Sequence, residues 1–420
     1  MSSTHCLKIT VLGGSSPFTA GLIDALVQSE TRSAKIKPPP TIVLHGRSTK
    51  TLSLVGRYAS HWLGPLDWNV QCTVDLHQAL DGADIVIHQI RYGDLSGRAD
   101  GERLCAEIGL AADETLGPAA LLTAIRTLPD LKRTCDAIND HCPGARVLNL
   151  TNPLSAMTWF MTEMGVRHCV GLCELPLVTS LQAGRILDID PAEQPQLQWT
   201  YTGLNHRGFI DTLEFEGRSV LGELVETLRS NSQFIGGVDA EVVADLHAIP
   251  LKYFRLVCSA DSVGTRDSTG APSGRAQQLQ ELRGRVTSEL RESVTSSPPS
   301  LCERYMDWYP RSVVPLLGAL CQGQVTEQMV NMRNGDGLVE EVAAKVHSGK
   351  WVADFRSSSN RKVRDWNDQF KVHERAFLTA MLEPSTENVR AVFEADPIIH
   401  RSVSEQAAQT FIRYRNRSLR

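Results

Sequence analysis

The sequence predicts an α/β protein: a doubly wound parallel sheet of the Rossmann kind over residues 1–175, carrying a nucleotide, followed by a mixed α+β domain over 176–420 for substrate, catalysis and oligomerisation. Three observations carry this. The apolar strand Leu7-Lys8-Ile9-Thr10-Val11-Leu12 runs into the tight turn Gly13-Gly14-Ser15-Ser16 and then into a helix pattern. Strand and helix patterns then alternate, as right-handed β-α-β units do in a parallel sheet. Beyond residue 175 the period changes to paired strands followed by helices.

In chain order, the first turn leads to a helix over Thr19–Ser29, where Leu22, Ile23, Leu26 and Val27 share a face. Strands follow at Thr41–His45, before a helix near Leu76–Leu80, and at Ala83–His88. A long helix around Leu121–Asn139, a strand at Ala145–Leu150, a helix after Pro153 and a strand at Cys169–Cys173 complete the first domain. In the second, Leu197–Leu204 and Gly208–Phe215 read as antiparallel strands joined by a short turn. Residues 275–293 and 312–346 read as helices, and Thr295–Ser300 as a loop or flexible lid. No internal repeat interrupts this order.

Composition narrows the function classes. With 420 residues, 42% hydrophobic and 22% charged, the chain has enough material for two packed lobes. A net charge of -5 gives no basic footprint, so nucleic acid is not an expected partner; Arg413, Arg415, Arg417 and Arg420 read as the solvated end of a terminal helix. No apolar run approaches the roughly 18 residues of a membrane span, and no signal core opens the chain, which points to the cytoplasm. Ten cysteines scattered without short spacings fit reduced thiols.

Two sites emerge from the residues. Gly13, Gly14, Ser15 and Ser16 form a turn that suits a pyrophosphate, with glycines for the bend, hydroxyls as donors and a helix N-terminus behind. The second strand ends Leu44-His45-Gly46-Arg47-Ser48, without the carboxylate that holds the ribose of NAD; Arg47 and Ser48 offer a place for a 2′-phosphate, so NAD is expected with NADP as the alternative. At the carboxyl end of a later sheet strand stands Cys173, and His206 ends a strand of the second domain. One soft and one borderline ligand suit a divalent transition metal that keeps positions open for substrate.

Taken together with Gln89-Ile90-Arg91, Asp113-Glu114-Thr115-Leu116-Gly117-Pro118, Asn149-Leu150-Thr151-Asn152-Pro153, Gly203-Leu204-Asn205-His206 and Ile249-Pro250-Leu251-Lys252-Tyr253, these motifs resemble glycoside hydrolase family 4, whose members include 6-phospho-α/β-glucosidases. The resemblance covers Leu7 to about Arg275. It implies a lactate/malate dehydrogenase-like architecture, NAD, and a divalent metal, usually manganese, held by Cys173 and His206. It further implies redox-assisted hydrolysis: hydride transfer from C3 of the sugar, proton abstraction from C2 by Tyr253, elimination of the aglycone, then water addition and hydride return. Arg91 and Asn152 match substrate-contacting positions, Arg275 an arginine that meets a 6-phosphate, and Glu114 an acid over the nicotinamide.

Two departures limit the transfer. Glu174 stands where some α-type members carry an aspartate and β-type ones an asparagine, which favours an α-type leaving-group acid, and Asn152-Pro153-Leu154-Ser155 replaces Asn-Pro-Ala-Gly. The alternatives are an NAD(P)-dependent dehydrogenase of a hydroxy acid or sugar, and a nucleotide-sensing module without chemistry. The expected partner is a small glycoside, and the expected assembly a homodimer or homotetramer.

Overall fold

The computed structural model describes residues 6–32, 36–110, 112–258, 274–323, 325–347 and 350–418. Six strands, β1 (Lys8–Leu12), β2 (Thr41–His45), β3 (Asn69–Thr73), β4 (Ile85–His88), β5 (Arg146–Asn149) and β6 (Cys169–Gly171), lie parallel in the order β6-β5-β4-β1-β2-β3. Helices cover both faces, so the central strands are apolar throughout: Ile9, Val11, Leu12, Val86, Ile87, Val147 and Leu148 are all fully buried. The order reverses between β1 and β4, and the carboxyl ends of those strands flank the crevice in which doubly wound sheets take their ligands.

After β6 the chain leaves for a small antiparallel sheet of β7 (Gln198–Leu204), β8 (Arg207–Phe215), β9 (Arg218–Ser219) and β10 (Ile249–Pro250), in which β8 pairs with the other three. Only Asn205 and His206 join β7 to β8, and His206 adopts a left-handed φ of 65°. The chain then returns to the first sheet. Strands β11 (Thr326–Arg333), β12 (Val339–His347) and β13 (Lys350–Ala353) extend it antiparallel beyond β6 to nine strands, so chain from both sides of residue 175 builds one sheet.

This corrects the helix expected over 312–346. A π-turn at Tyr309–Val313 leads into a helix that runs only from Val314 to Gln322 and stops at Gly323, φ 64°. The remainder is a hairpin turned by Asn334-Gly335-Asp336-Gly337, where Asn334 accepts from the Leu338 amide at 3.0 Å. Val342, Ala344 and Val346 are buried at every second position, a period that a run of apolar residues read at helical spacing conceals. The helix at Arg275–Glu292 is present as expected.

The expected lid also proves tied down: Ser297 donates to Asp24 at 2.6 Å, and a 3-10 turn begins at Pro299. The terminal helix Arg401–Ser418 buries Ala407, Ala408 and Phe411, while Arg413 and Arg417 are exposed and Arg420 lies outside the described residues. Arg415 departs from the solvated reading by reaching the carbonyl of Pro384. No disulfide links the ten cysteines, and no helix among the described residues is long and apolar enough to cross a membrane.

Candidate active site

The Gly13–Ser16 turn is dictated by space. Gly13 has φ 91°, and a Cβ there would lie 2.8 Å from the Gln89 carbonyl; one on Gly14 would lie 3.1 Å from the Leu44 Cα. The amides of both glycines donate to the His45 carbonyl, at 3.1 and 2.8 Å, so they close the turn onto β2. Gly46 leaves room for Ser15, whose Oγ would sit 2.1 Å from a Cβ added there. The helix Thr19–Arg32 starts directly behind. At the end of β2, Arg47 is exposed, and the Ser48 hydroxyl is occupied as the N-cap of the helix Thr49–Leu63, accepting from Thr51 N.

The second cluster draws on four separate segments. Cys173 and Glu174 follow β6, and both are buried. His206 comes from the β7–β8 turn, and Tyr253 from a single 3-10 turn at Lys252–Phe254 that follows β10. The Tyr253 ring stacks on His206 with centroids 4.4 Å apart and planes 16° apart. Thr115 supplies the fourth segment: its hydroxyl donates to Asp113, so its oxygen accepts from His206 Nδ1 at 2.9 Å. That bond fixes the proton on Nδ1 and leaves the Nε2 lone pair as the donor. Thr115 is also a hydrogen-bond partner of the Tyr253 phenol.

Electrostatics define what these groups can do. Burial, then Lys252, lowers the His206 pKa to about 3, so the imidazole is neutral and able to ligate. Burial, then Glu341 and Glu174, pushes the Cys173 thiol well above its usual value, so a thiolate there requires a cation beside it. Burial and then Asp113 raise the Tyr253 phenol, and burial raises the Glu174 carboxyl above its ordinary range. A thiol and a neutral imidazole with a free Nε2 are ligand types that suit a divalent ion; among the described residues no group of three or more His, Cys, Asp and Glu side chains is arranged to hold one.

The other expected residues lie on separate segments. Arg91, in the loop after β4, pairs with Glu114, which also pairs with Arg98. Glu114 is therefore not a solvated loop charge; its side chain is 16% exposed. Burial, then Arg304 and Arg98, lowers Arg91 to about 9, and it remains charged at neutral pH. Arg275, the exposed first residue of its helix, donates to Gln278 at 3.2 Å, and the next amide, that of Ala276, donates to Glu102 at 3.0 Å, beside Arg98. Asn152 is half-buried and precedes a cis Pro153.

Sequence reading did not single out Arg304, whose guanidinium lies 4.1 Å over the Phe18 ring, or Glu341, whose carboxyl receives three side-chain hydrogen bonds. Phe18 belongs to the Gly/Ser turn, but nothing local marks its partner. Glu341 sits in the segment taken for a helix, which hid it.

The model of the family 4 glycosyl hydrolases matches residues 8–189, and that of the family's C-terminal domain matches 201–399. A 6-phospho-beta-glucosidase of Thermotoga maritima is 23% identical over 90% of this chain and 91% of its own length, and one of Escherichia coli is 23% identical over 80% and 77%. A solved structure of the Thermotoga maritima 6-phospho-beta glucosidase with NAD and glucose-6-phosphate superposes with a TM-score of 0.83 at 20% identity, covering 98% of this chain and 99% of that one. Malate dehydrogenase of Plasmodium falciparum shares the architecture more distantly, with a TM-score of 0.51 at 10% identity over 90% and 99% of the two chains. The chain belongs to the family 4 glycosyl hydrolases.

Proposed function

We propose that this glycosidase hydrolyses a 6-phosphoglucoside in the cytoplasm, as a homodimer or homotetramer, using NAD and a divalent metal such as manganese. The observation that carries the reading is the convergence of Cys173, a neutral His206 with Nε2 free, and the Tyr253 phenol in one buried cluster. The two relatives reported above are 6-phospho-beta-glucosidases, and solved structures of similar proteins hold NAD, Mn2+ and glucose-6-phosphate.

When bound, NAD supplies a hydride acceptor for C3 of the sugar and the metal a Lewis-acid charge beside C2 and C3. The chain does the rest. The Gly13–Ser16 turn and the helix behind it receive the dinucleotide, with the Ser15 and Ser16 hydroxyls as donors, because the Gly13 and Gly14 amides already serve the turn. Cys173 and His206 hold the ion, Thr115 fixing the imidazole tautomer. Tyr253 removes the C2 proton once C3 is oxidised; its own surroundings keep the phenol neutral, so deprotonation needs the positive charge of the loaded site. Glu174, whose carboxyl burial raises, protonates the leaving group, which favours the α anomer. Arg91 and Asn152 orient hydroxyls, and Arg275 meets the 6-phosphate.

A panel of nitrophenyl α- and β-glucosides, each with and without a 6-phosphate, tests this with NAD and Mn2+ present. Release of nitrophenol from the phosphorylated members, stopped by chelation and without net NADH, is the expected result. Stoichiometric NADH with an oxidised product would instead assign the dehydrogenase chemistry of the malate dehydrogenase-like fold.

A further inference from the structure

The hairpin of β11 and β12 brings a carboxylate to the back of the Cys173–His206 pair. Asn331 of β11 lies level with Gly171 of β6 on one side and with Glu341 of β12 on the other, and Gly171 stands two residues before Cys173. Glu341 is 0% exposed. It accepts from Tyr201 Oη at 2.7 Å, from Asn205 Nδ2 at 3.2 Å and from Asn331 Nδ2 at 3.1 Å. Two of those donors govern the His206 turn. Asn205 precedes His206, and the Tyr201 hydroxyl also lies 3.3 Å from the Leu204 carbonyl that enters the turn. Asn205 is in addition a hydrogen-bond partner of Cys173.

A buried carboxylate is an expensive way to join two strands, since an apolar residue of the same volume packs without desolvating a charge. Every donor Glu341 holds stands on β7, on the turn after it or on β11, and two lead directly to the expected ligands. The turn also needs restraint: His206 sits at φ 65°, a strained conformation for a residue with a side chain, and such backbone persists only where its neighbours fix it.

We propose that Glu341 is a positioning residue for the metal ligands: it holds Asn205, which in turn fixes the Cys173 sulfur and the turn that presents His206. The proposal rests on the reading that Cys173 and His206 bind a divalent ion. Outer partners of metal ligands of this kind change metal affinity by about 10–100-fold when removed.

The test uses two metals as probes and needs no turnover. Mn2+ affinity is measured by the electron paramagnetic resonance of the free ion, and Co2+ loading by the thiolate-to-cobalt charge-transfer absorption, in full-length wild type, Glu341→Gln, Asn205→Ala and the double variant. Each single variant is expected to bind Mn2+ about 10–100-fold more weakly and to show a displaced or weakened cobalt band, with NAD affinity unchanged. The double variant is expected to lose little more than either, because both act along one chain of bonds. A carboxylate that only stabilises the fold would lower the unfolding temperature of Glu341→Gln and leave Mn2+ affinity and the cobalt band as in wild type; that result overturns the proposal. Asn205→Ala keeps the test open if Glu341→Gln does not fold, and wild-type Mn2+ affinity in that variant overturns it equally. Wild-type protein that binds neither ion overturns the metal reading and this proposal together.

Discussion

The turn at Gly13–Ser16 and the cluster around Tyr253 obtain their properties from different sources. The turn depends on clearances: Gly13 against the Gln89 carbonyl, Gly14 against Leu44 and Gly46 against Ser15. Its chemistry is that of backbone amides, hydroxyls and a helix end, which hardly change with surroundings. The cluster draws side chains from Asp113 to Glu341, and the surroundings set what each one is. Burial makes His206 a neutral ligand with a pKa near 3, raises the Glu174 carboxyl and pushes the Cys173 thiol up. Steric sites of the first kind are fixed by a short piece of sequence, while electrostatic sites of the second kind exist only after folding.

The most severe way to probe the second kind is to remove one atom from it. Tyr253→Phe keeps the ring stacked on His206 and deletes the phenolic oxygen, so kcat is expected to fall by about 10²–10⁴-fold, the contribution of a general base, with stability almost unchanged. Wild-type turnover in deuterated water should also place deuterium at C2 of the product. Full activity in the variant, or no label in the wild-type product, would show that the cluster does not move a proton.

Next in size is the charge network behind the turn that carries His206. Arg207 donates to Asp396 at 2.9 Å, and His373 lies 3.4 Å from the other oxygen of that carboxylate, with all three side chains buried. Burial pushes the Asp396 carboxyl up, but Arg207 and His373 more than reverse this and leave it below the usual range. Its folded pKa is thus lower than its unfolded value of about 3.9, so the stability it contributes is present above that pH and disappears as pH falls through the folded value. Asp396→Asn is expected to cost about 3–5 kcal/mol at pH 7, as removal of one member of a buried pair does. The difference from wild type should shrink on acidification, as followed by urea unfolding at pH 7 and below pH 4. An equal loss at both pH values would mean that the network acts through packing alone.

Gly13→Ala moves the probe to the steric site. A Cβ at φ 91° that meets the Gln89 carbonyl at 2.8 Å is expected to cost about 1–3 kcal/mol and to weaken NAD binding. Calorimetric Mn2+ affinity should remain that of wild type. If metal binding falls with nucleotide binding, the two regions are coupled and the contrast between them dissolves.

The same contrast explains what was legible in the sequence. The parallel strands, the nucleotide turn and the β7–β8 hairpin follow from apolar period and turn residues within a dozen positions, and the fold shows each of them. Cys173 and His206 stood out by ligand type, but Tyr253 joined them only through family resemblance, because nothing in a residue type announces that it will be buried beside the others. Thr115 lay within a quoted motif, yet its bond to His206 spans 91 residues of chain. Glu341 was lost altogether. In Val339-Glu340-Glu341-Val342-Ala343-Ala344 two adjacent acids blur the strand period, and both turn out to be buried, Glu340 beside Asn334 and Glu341 behind the cluster.

The smallest expected effect lies at the rim of the nucleotide site, at the ribose 2′ position that separates NADP from NAD. The end of β2 carries no carboxylate for a ribose, and the Ser48 hydroxyl is taken up in capping its helix, so Arg47 alone is left to greet a 2′-phosphate. Arg47→Ala is therefore expected to leave NAD affinity within about twofold of wild type, and to weaken NADP by about tenfold, the worth of one charge-assisted hydrogen bond. Titration of both cofactors against wild type and variant measures the difference. A tenfold loss for NAD as well would show that Arg47 shapes the turn itself, and would place an electrostatic element inside the region that clearances were thought to govern.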